Sequence, residues 1–122
     1  MYKVLVVDDE GAVCDLLNDF LTLKGYEVYT ASDGYTAINK AKEVSPHLVL
    51  LDIVMPGISG IKVLKEIKKL NPQTEVIMIT AVPDQGIITE SIDVGAYDYI
   101  RKPMNLKRVE DAVMIAIKNL NH

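Results

Sequence analysis

Three aspartates stand where acidic groups are costly. The run Lys3-Val4-Leu5-Val6-Val7 ends in Asp8-Asp9, and the run Leu48-Val49-Leu50-Leu51 ends in Asp52. Each run reads as a buried strand that delivers carboxylate to its C-terminal end. At an effective dielectric of about 20, two carboxylates roughly 4 Å apart repel by about 4 kcal/mol. Three together need a cation or must take up protons, and a hard divalent ion is the simplest occupant. An ionised aspartate can also attack an in-line phosphoryl group and form an aspartyl phosphate, a recognised covalent intermediate. The histidines offer no comparable chemistry: His47 follows Pro46 in a turn, His122 is the last residue, and both are expected to be solvated.

The elements that must position these carboxylates follow from periodicity. Short apolar runs alternate with helical-period segments five times, each unit the size of a strand plus a crossover helix. This is an α/β pattern. The spacing predicts strands over 3–7, 27–31, 48–51, 76–80 and 97–101, and helices over 12–24, 35–44, 61–70, 85–94 and 106–119. Val13, Leu16, Leu17, Phe20 and Leu21 form one apolar stripe, and Leu106, Val109, Val113, Ala116 and Leu120 form another. Both helices should lie on the sheet. The fourth helix is expected to be the most mobile, because Gly86, Thr89 and Ser91 are modest or poor helix formers and Pro83 precedes it.

Burial gives the strand order. The first, third and fourth strands are continuously apolar, whereas Glu27-Val28-Tyr29-Thr30 and Tyr97-Asp98-Tyr99 mix in polar residues, so the second and fifth strands should be the edges. Of the two common doubly wound orders, 2-1-3-4-5 has those edges. Helices then cover both faces, and the switch point falls between the first and third strands, where Asp8, Asp9 and Asp52 emerge.

Composition narrows the classes. The chain of 122 residues is 49% apolar and 25% charged, which suits one globular domain over residues 1–122. A net charge of -4, with no basic cluster longer than Lys68-Lys69, argues against direct nucleic-acid contact. The single Cys14 cannot form an internal disulfide, and no leader pattern follows Met1, so a reduced cytoplasmic protein is expected. No apolar run approaches the roughly 20 residues of a membrane span.

Taken together, the motifs resemble the receiver domain of two-component response regulators, the group that includes the single-domain chemotaxis regulators. The resemblance rests on Val6-Val7-Asp8-Asp9-Glu10, on Leu51-Asp52-Ile53-Val54-Met55-Pro56 with Gly60, on Thr80-Ala81, and on Gly95-Ala96-Tyr97-Asp98-Tyr99-Ile100-Arg101-Lys102-Pro103. It implies a flavodoxin-like fold and a phosphorylation-dependent signalling switch. In that switch Asp52 is the phosphoacceptor. Asp9 and Asp52 hold Mg2+ directly, Asp8 holds it mainly through water, and the Val54 backbone carbonyl is a further ligand; Mn2+ is an alternative ion. Lys102, before a cis Lys102-Pro103 bond, bridges Asp52 at rest and a phosphoryl oxygen after transfer. Thr80 donates its hydroxyl to the phosphoryl group, and Tyr99 follows it inward as the switch aromatic.

Such a protein catalyses its own phosphorylation and dephosphorylation rather than turning over a conventional substrate. The resemblance implies a sensor histidine kinase or histidine phosphotransfer protein as donor, with exposed residues of the first helix as its docking surface. A downstream protein would read the face of the fourth helix, fifth strand and fifth helix, and a phosphorylation-dependent homodimer stays open.

Each residue also has a plainer reading. Asp52 could cap a turn, Asp9 could cap the first helix, Lys102 could be solvated beside a turn as Arg101 is expected to be, and Thr80 and Tyr99 could simply pack. The chain departs from the family at the second residues after Asp52 and Thr80, both valine (Val54 and Val82). Neither side chain can orient a water by hydrogen bonding, which predicts slow self-hydrolysis. Ser59 replaces a common acidic or amide residue and can still cap the third helix. A small aspartate-dependent phosphatase fits less well, because its Asp-x-Asp motif is absent: Asp8 and Asp9 are adjacent and position 54 is valine. A flavodoxin-like electron carrier would need a Ser/Thr/Gly-rich phosphate loop after the first strand, where Asp8-Asp9-Glu10 stand. A receiver-like interaction module that is never phosphorylated is the remaining alternative, and the complete acidic set argues against it.

Overall fold

Strands β1 (Lys3–Val7), β2 (Glu27–Ala31), β3 (Leu48–Asp52), β4 (Glu75–Thr80) and β5 (Asp98–Arg101) alternate with helices α1 (Gly11–Leu23), α2 (Gly34–Val44), α3 (Gly60–Leu70), α4 (Gln85–Val94) and α5 (Leu106–Leu120). The computed structural model describes residues 1–81 and 84–120. Val82, Pro83 and His122, which entered the reading of the sequence, lie outside the described residues. All strand pairs are parallel, in the order β2-β1-β3-β4-β5. The expected order therefore holds, and burial accounts for it: β3 is buried along its whole length, whereas β2 and β5 are mixed.

Alternation sends successive strand side chains to opposite faces. Val4, Val6, Leu48, Leu50, Ile77 and Ile79 pack with Leu17, Leu21, Val109 and Val113 of α1 and α5. Leu5, Val7, Val49, Leu51, Val76 and Met78 pack with Ala37, Ala41, Val63, Leu64 and Ile67 of α2 and α3. The result is a doubly wound, flavodoxin-like α/β sheet with helices on both faces.

Three helices begin one residue earlier than expected, each at a glycine: Gly11, Gly34 and Gly60. Low helix propensity argues against glycine inside a helix, but capping and packing decide at the first position. Asp33 accepts from the Thr36 N–H at 2.8 Å, and Ser59 Oγ accepts from the Lys62 N–H at 3.3 Å, as expected for Ser59. A Cβ at Gly60 would overlap the Asp52 carbonyl oxygen and stand 2.6 Å from Ile53 Cα. Only glycine lets α3 start flush against the end of β3. The fourth helix has its own cap, since the Asp84 carboxylate accepts from the Ile87 N–H at 3.1 Å.

Two expectations need correction. Leu16 is 48% exposed, because α1 rests on the sheet along Cys14, Leu17 and Leu21 and turns Leu16 to its flank. His47 is half-buried rather than solvated: its Nδ1 accepts from the Lys3 N–H at 3.0 Å and its ring meets Tyr2 edge-on at 5.1 Å. It completes hydrogen bonding at the start of β1. Among the described residues, no helix is long and apolar enough to cross a membrane.

Candidate functional site

Val7 lies opposite Leu51 in the β1–β3 pair, so the residues that follow both strands emerge side by side. Asp8 and Asp52 are buried, at 1% and 4% exposure, while Asp9 is exposed. One carboxylate oxygen from each of Asp8, Asp9 and Asp52 lies within 4.8 Å of the others. The predicted cluster is therefore assembled. Asp8 Oδ1 accepts from the Glu10 N–H at 2.9 Å, which turns the chain into α1 with Glu10, not Asp9, at the N-cap position. Beneath the turn the free, buried Cys14 thiol donates to the Asp8 carbonyl at 3.3 Å, and burial pushes its pKa up.

Asp52 Oδ1 accepts from the Val54 N–H at 3.1 Å. Asp52 thus closes the turn, as its plainer reading expected, and the same carboxylate faces the cluster. The Val54 side chain is 53% exposed above it.

Lys102 arrives from the end of β5. Its N–H donates to the Thr80 carbonyl at 2.8 Å, and the Lys102-Pro103 bond is cis, as expected. The ammonium stands 2.8 Å from Asp8 Oδ2, 3.2 Å from Asp52 Oδ2 and 3.5 Å from Glu10 Oε1, with the lysine side chain 14% exposed. A solvated lysine is ruled out by this placement, while Arg101 is exposed as expected. The Asp8 contact is an ion pair, and the buried Asp8 Oδ2 has no further partner among the described residues.

The charges shape one another. Burial pushes the Asp52 pKa up, and this outweighs the lowering by the Val54 N–H and by Lys102. At Lys102 burial works against the ammonium, but the contact with Asp8 and the charge of Asp52 prevail and hold its pKa above the usual lysine range. One ammonium thus serves two buried carboxylates, and an under-coordinated Asp8 oxygen remains beside Asp9 and Asp52. That donor set fits a hard, oxygen-seeking divalent ion.

Thr80, 1% exposed, closes β4 one residue beyond Ile79, the partner of Asp52. Tyr99 pairs with Met78 and is half-buried against the same apolar cluster. By alternation Thr80 and Tyr99 lie on the α4 side of the sheet. The Arg108 guanidinium donates to the Tyr99 carbonyl at 3.0 Å and pairs with Asp98 at 3.1 Å, tying α5 to β5.

Two residues that the sequence placed in motifs make contacts that it did not predict. Glu10 reaches Lys102 although the two are 92 positions apart, and its only signal was adjacency to Asp8-Asp9. Gly60 seats α3 against the Asp52 carbonyl, a close approach that its place after Ser59 hinted at.

A parallel 2-1-3-4-5 sheet with an acidic cluster and a lysine at the C-terminal ends of its strands is a CheY-like, flavodoxin-like receiver fold. The chain belongs to the response regulator receiver domain family, whose profile matches residues 4–114. It is 40% identical to a chemotaxis protein CheY of Thermotoga maritima over 91% of this chain and 93% of that one. It is 36% identical to sporulation initiation phosphotransferase F of Bacillus subtilis, over 91% of this chain and 90% of that one. Among solved structures, a CheY-like receiver domain protein from Methanospirillum hungatei superposes with a TM-score of 0.96 at 28% identity, covering 99% of this chain and 97% of that one.

Proposed function

We propose that this chain is a signalling switch operated by phosphorylation of Asp52. The observation that carries the reading is the convergence of Asp8, Asp9 and Asp52 with the Lys102 ammonium at the C-terminal ends of the strands. In the transfer, an Asp52 oxygen attacks phosphorus. The new O–P bond forms as the P–N bond of a partner's phosphohistidine breaks, and the departing nitrogen keeps the electron pair. The Val54 N–H and Lys102 each hold one Asp52 oxygen, which fixes the orientation of the carboxylate before the donor arrives. Asp8, Asp9, Asp52 and the Val54 carbonyl would hold Mg2+, or Mn2+ in its place. Bound there, such an ion would neutralise charge on the transferring group.

After transfer, Lys102 pairs with a phosphoryl oxygen and the Thr80 hydroxyl donates to another. Tyr99 turns inward behind Thr80, and the surface formed by α4, β5 and α5 changes for a downstream protein, with a homodimer through that surface as a further outcome. The names of the relatives, a chemotaxis protein and a sporulation phosphotransferase, support such a role. The donor is a sensor histidine kinase or a histidine phosphotransfer protein that engages the exposed side of α1 in the cytoplasm. The receiver acts as one unit over residues 1–122.

The test is incubation of wild type and Asp52→Asn with a small acyl phosphate and Mg2+, followed by intact mass. One phosphoryl adduct that hydroxylamine removes is expected on wild type, and none on the variant. Equal adducts on both would remove Asp52 from the role.

A further inference from the structure

On the side of the acidic cluster away from α1, a groove of about 510 Å³ runs between α3 and α4. Its floor is aliphatic, built by Ile53 and Met55 from the turn after β3, Ile61 of α3 and Ile87 of α4. Its rims carry opposite charges, with Lys62 and Lys65 on α3 and Glu90 on α4. The basic rim is notable in a chain whose net charge is -4, because α3 holds four lysines and one glutamate. Glu66 is shared by Lys62 at 3.3 Å and Lys69 at 3.7 Å. Lys68 is engaged with the Pro72 and Thr74 carbonyls at 2.8 and 2.9 Å. Lys65 is exposed and has no ion pair or hydrogen bond among the described residues.

An apolar trough between a cationic and an anionic rim selects its occupant by charge as well as by shape. We infer that this groove docks a short segment of a partner protein that lays an aliphatic anchor on the floor, directs carboxylates to Lys62 and Lys65, and directs a cationic side chain to Glu90. A polyanion is the poorer fit, because Glu90 repels it from the far rim and the aliphatic floor gives it nothing to bind. The groove ends at Val54, whose N–H holds Asp52 Oδ1, so a docked segment lies against the turn that orients the Asp52 carboxylate. Docking requires no phosphoryl group and is readable on the unmodified chain.

The test uses the full chain labelled with 15N and a short synthetic peptide with two leucines, glutamates at one end and lysine at the other. Amide shifts centred on Ile53, Val54, Ile61, Lys65 and Ile87 are expected. Lys62→Glu with Lys65→Glu should weaken binding by about tenfold, Glu90→Lys should weaken it as well, and the unliganded spectra of both variants should report an intact fold. The inference is overturned by shifts centred on another face, by affinity indifferent to these substitutions, by no binding at millimolar peptide, or by an oligothymidylate binding the same residues equally well.

Discussion

Lys102 lies closer to Asp8 than to Asp52: its ammonium is 2.8 Å from Asp8 Oδ2 and 3.2 Å from Asp52 Oδ2. The cation is therefore anchored by a carboxylate that does not itself accept the phosphoryl group in the proposed chemistry, and Asp52 can change its charge without releasing it. Removing that cation leaves two buried carboxylates facing each other. Lys102→Met is expected to lower stability at pH 7 by about 3 kcal/mol, with a smaller loss near pH 4 as Asp52 takes up a proton. Urea unfolding at the two pH values checks both parts; an equal loss at both would contradict the charge argument.

Asp52 itself should work against the fold at neutral pH. Its pKa is raised, chiefly by burial. A carboxyl with a raised folded value favours the fold below its unfolded pKa, near 3.8, and that contribution is lost as pH rises through the folded value. Asp52→Asn, which stays neutral throughout, is expected to have a higher urea midpoint than wild type at pH 7, with the gap closing as pH falls toward 3.8. A variant less stable than wild type at pH 7 would show that pairing with Lys102 outweighs burial.

A divalent ion should stabilise what the cluster strains. Ion bound only by the folded chain adds about 2.7 kcal/mol at a concentration a hundred times its Kd. Adding Mg2+ at constant ionic strength is expected to raise the thermal midpoint of wild type, chelation should reverse the gain, and Asp9→Asn should abolish most of it. A gain that persists in Asp9→Asn would place the ion elsewhere.

The exposed Val54 side chain cannot align an attacking water. Val54→Asn is expected to shorten the aspartyl-phosphate lifetime severalfold, measured as loss of the adduct mass after the donor is removed. An unchanged lifetime would mean that this position does not govern hydrolysis.

Gly60→Ala should be costly despite its small size, because the added methyl meets main chain of Asp52 and Ile53 rather than a movable side chain. The expected loss is about 2 kcal/mol, accompanied by shifts of the Asp52 and Ile53 amide signals. A neutral substitution would show that α3 can retreat from β3.

The parallel order was legible because burial leaves a direct mark on composition: Leu48 to Leu51 admit no polar residue, and Glu27 and Asp98 mark the two edges. The acidic site was legible because strand ends in such a sheet converge. The sharing of Lys102 between Asp8, Asp52 and Glu10 was not, since it depends on the path of a long side chain across three elements. Nor was the role of His47, where a ring nitrogen finds the Lys3 N–H across 44 positions and no local pattern announces it. Leu16 misled for a simpler reason: an apolar stripe gives the direction of a buried face but not its width.

The flush seating of Gly60 has a mechanical meaning. Main chain in contact with main chain acts as a stop, so the α3 flank of Asp52 has no slack to absorb a rearrangement. Compliance is left to the neighbouring strands β4 and β5, where Thr80 and Tyr99 present side chains, which can rotate where a peptide unit cannot. In the proposed switch the receiver would thereby have a fixed jaw and a moving one, and phosphorylation of Asp52 would acquire a direction.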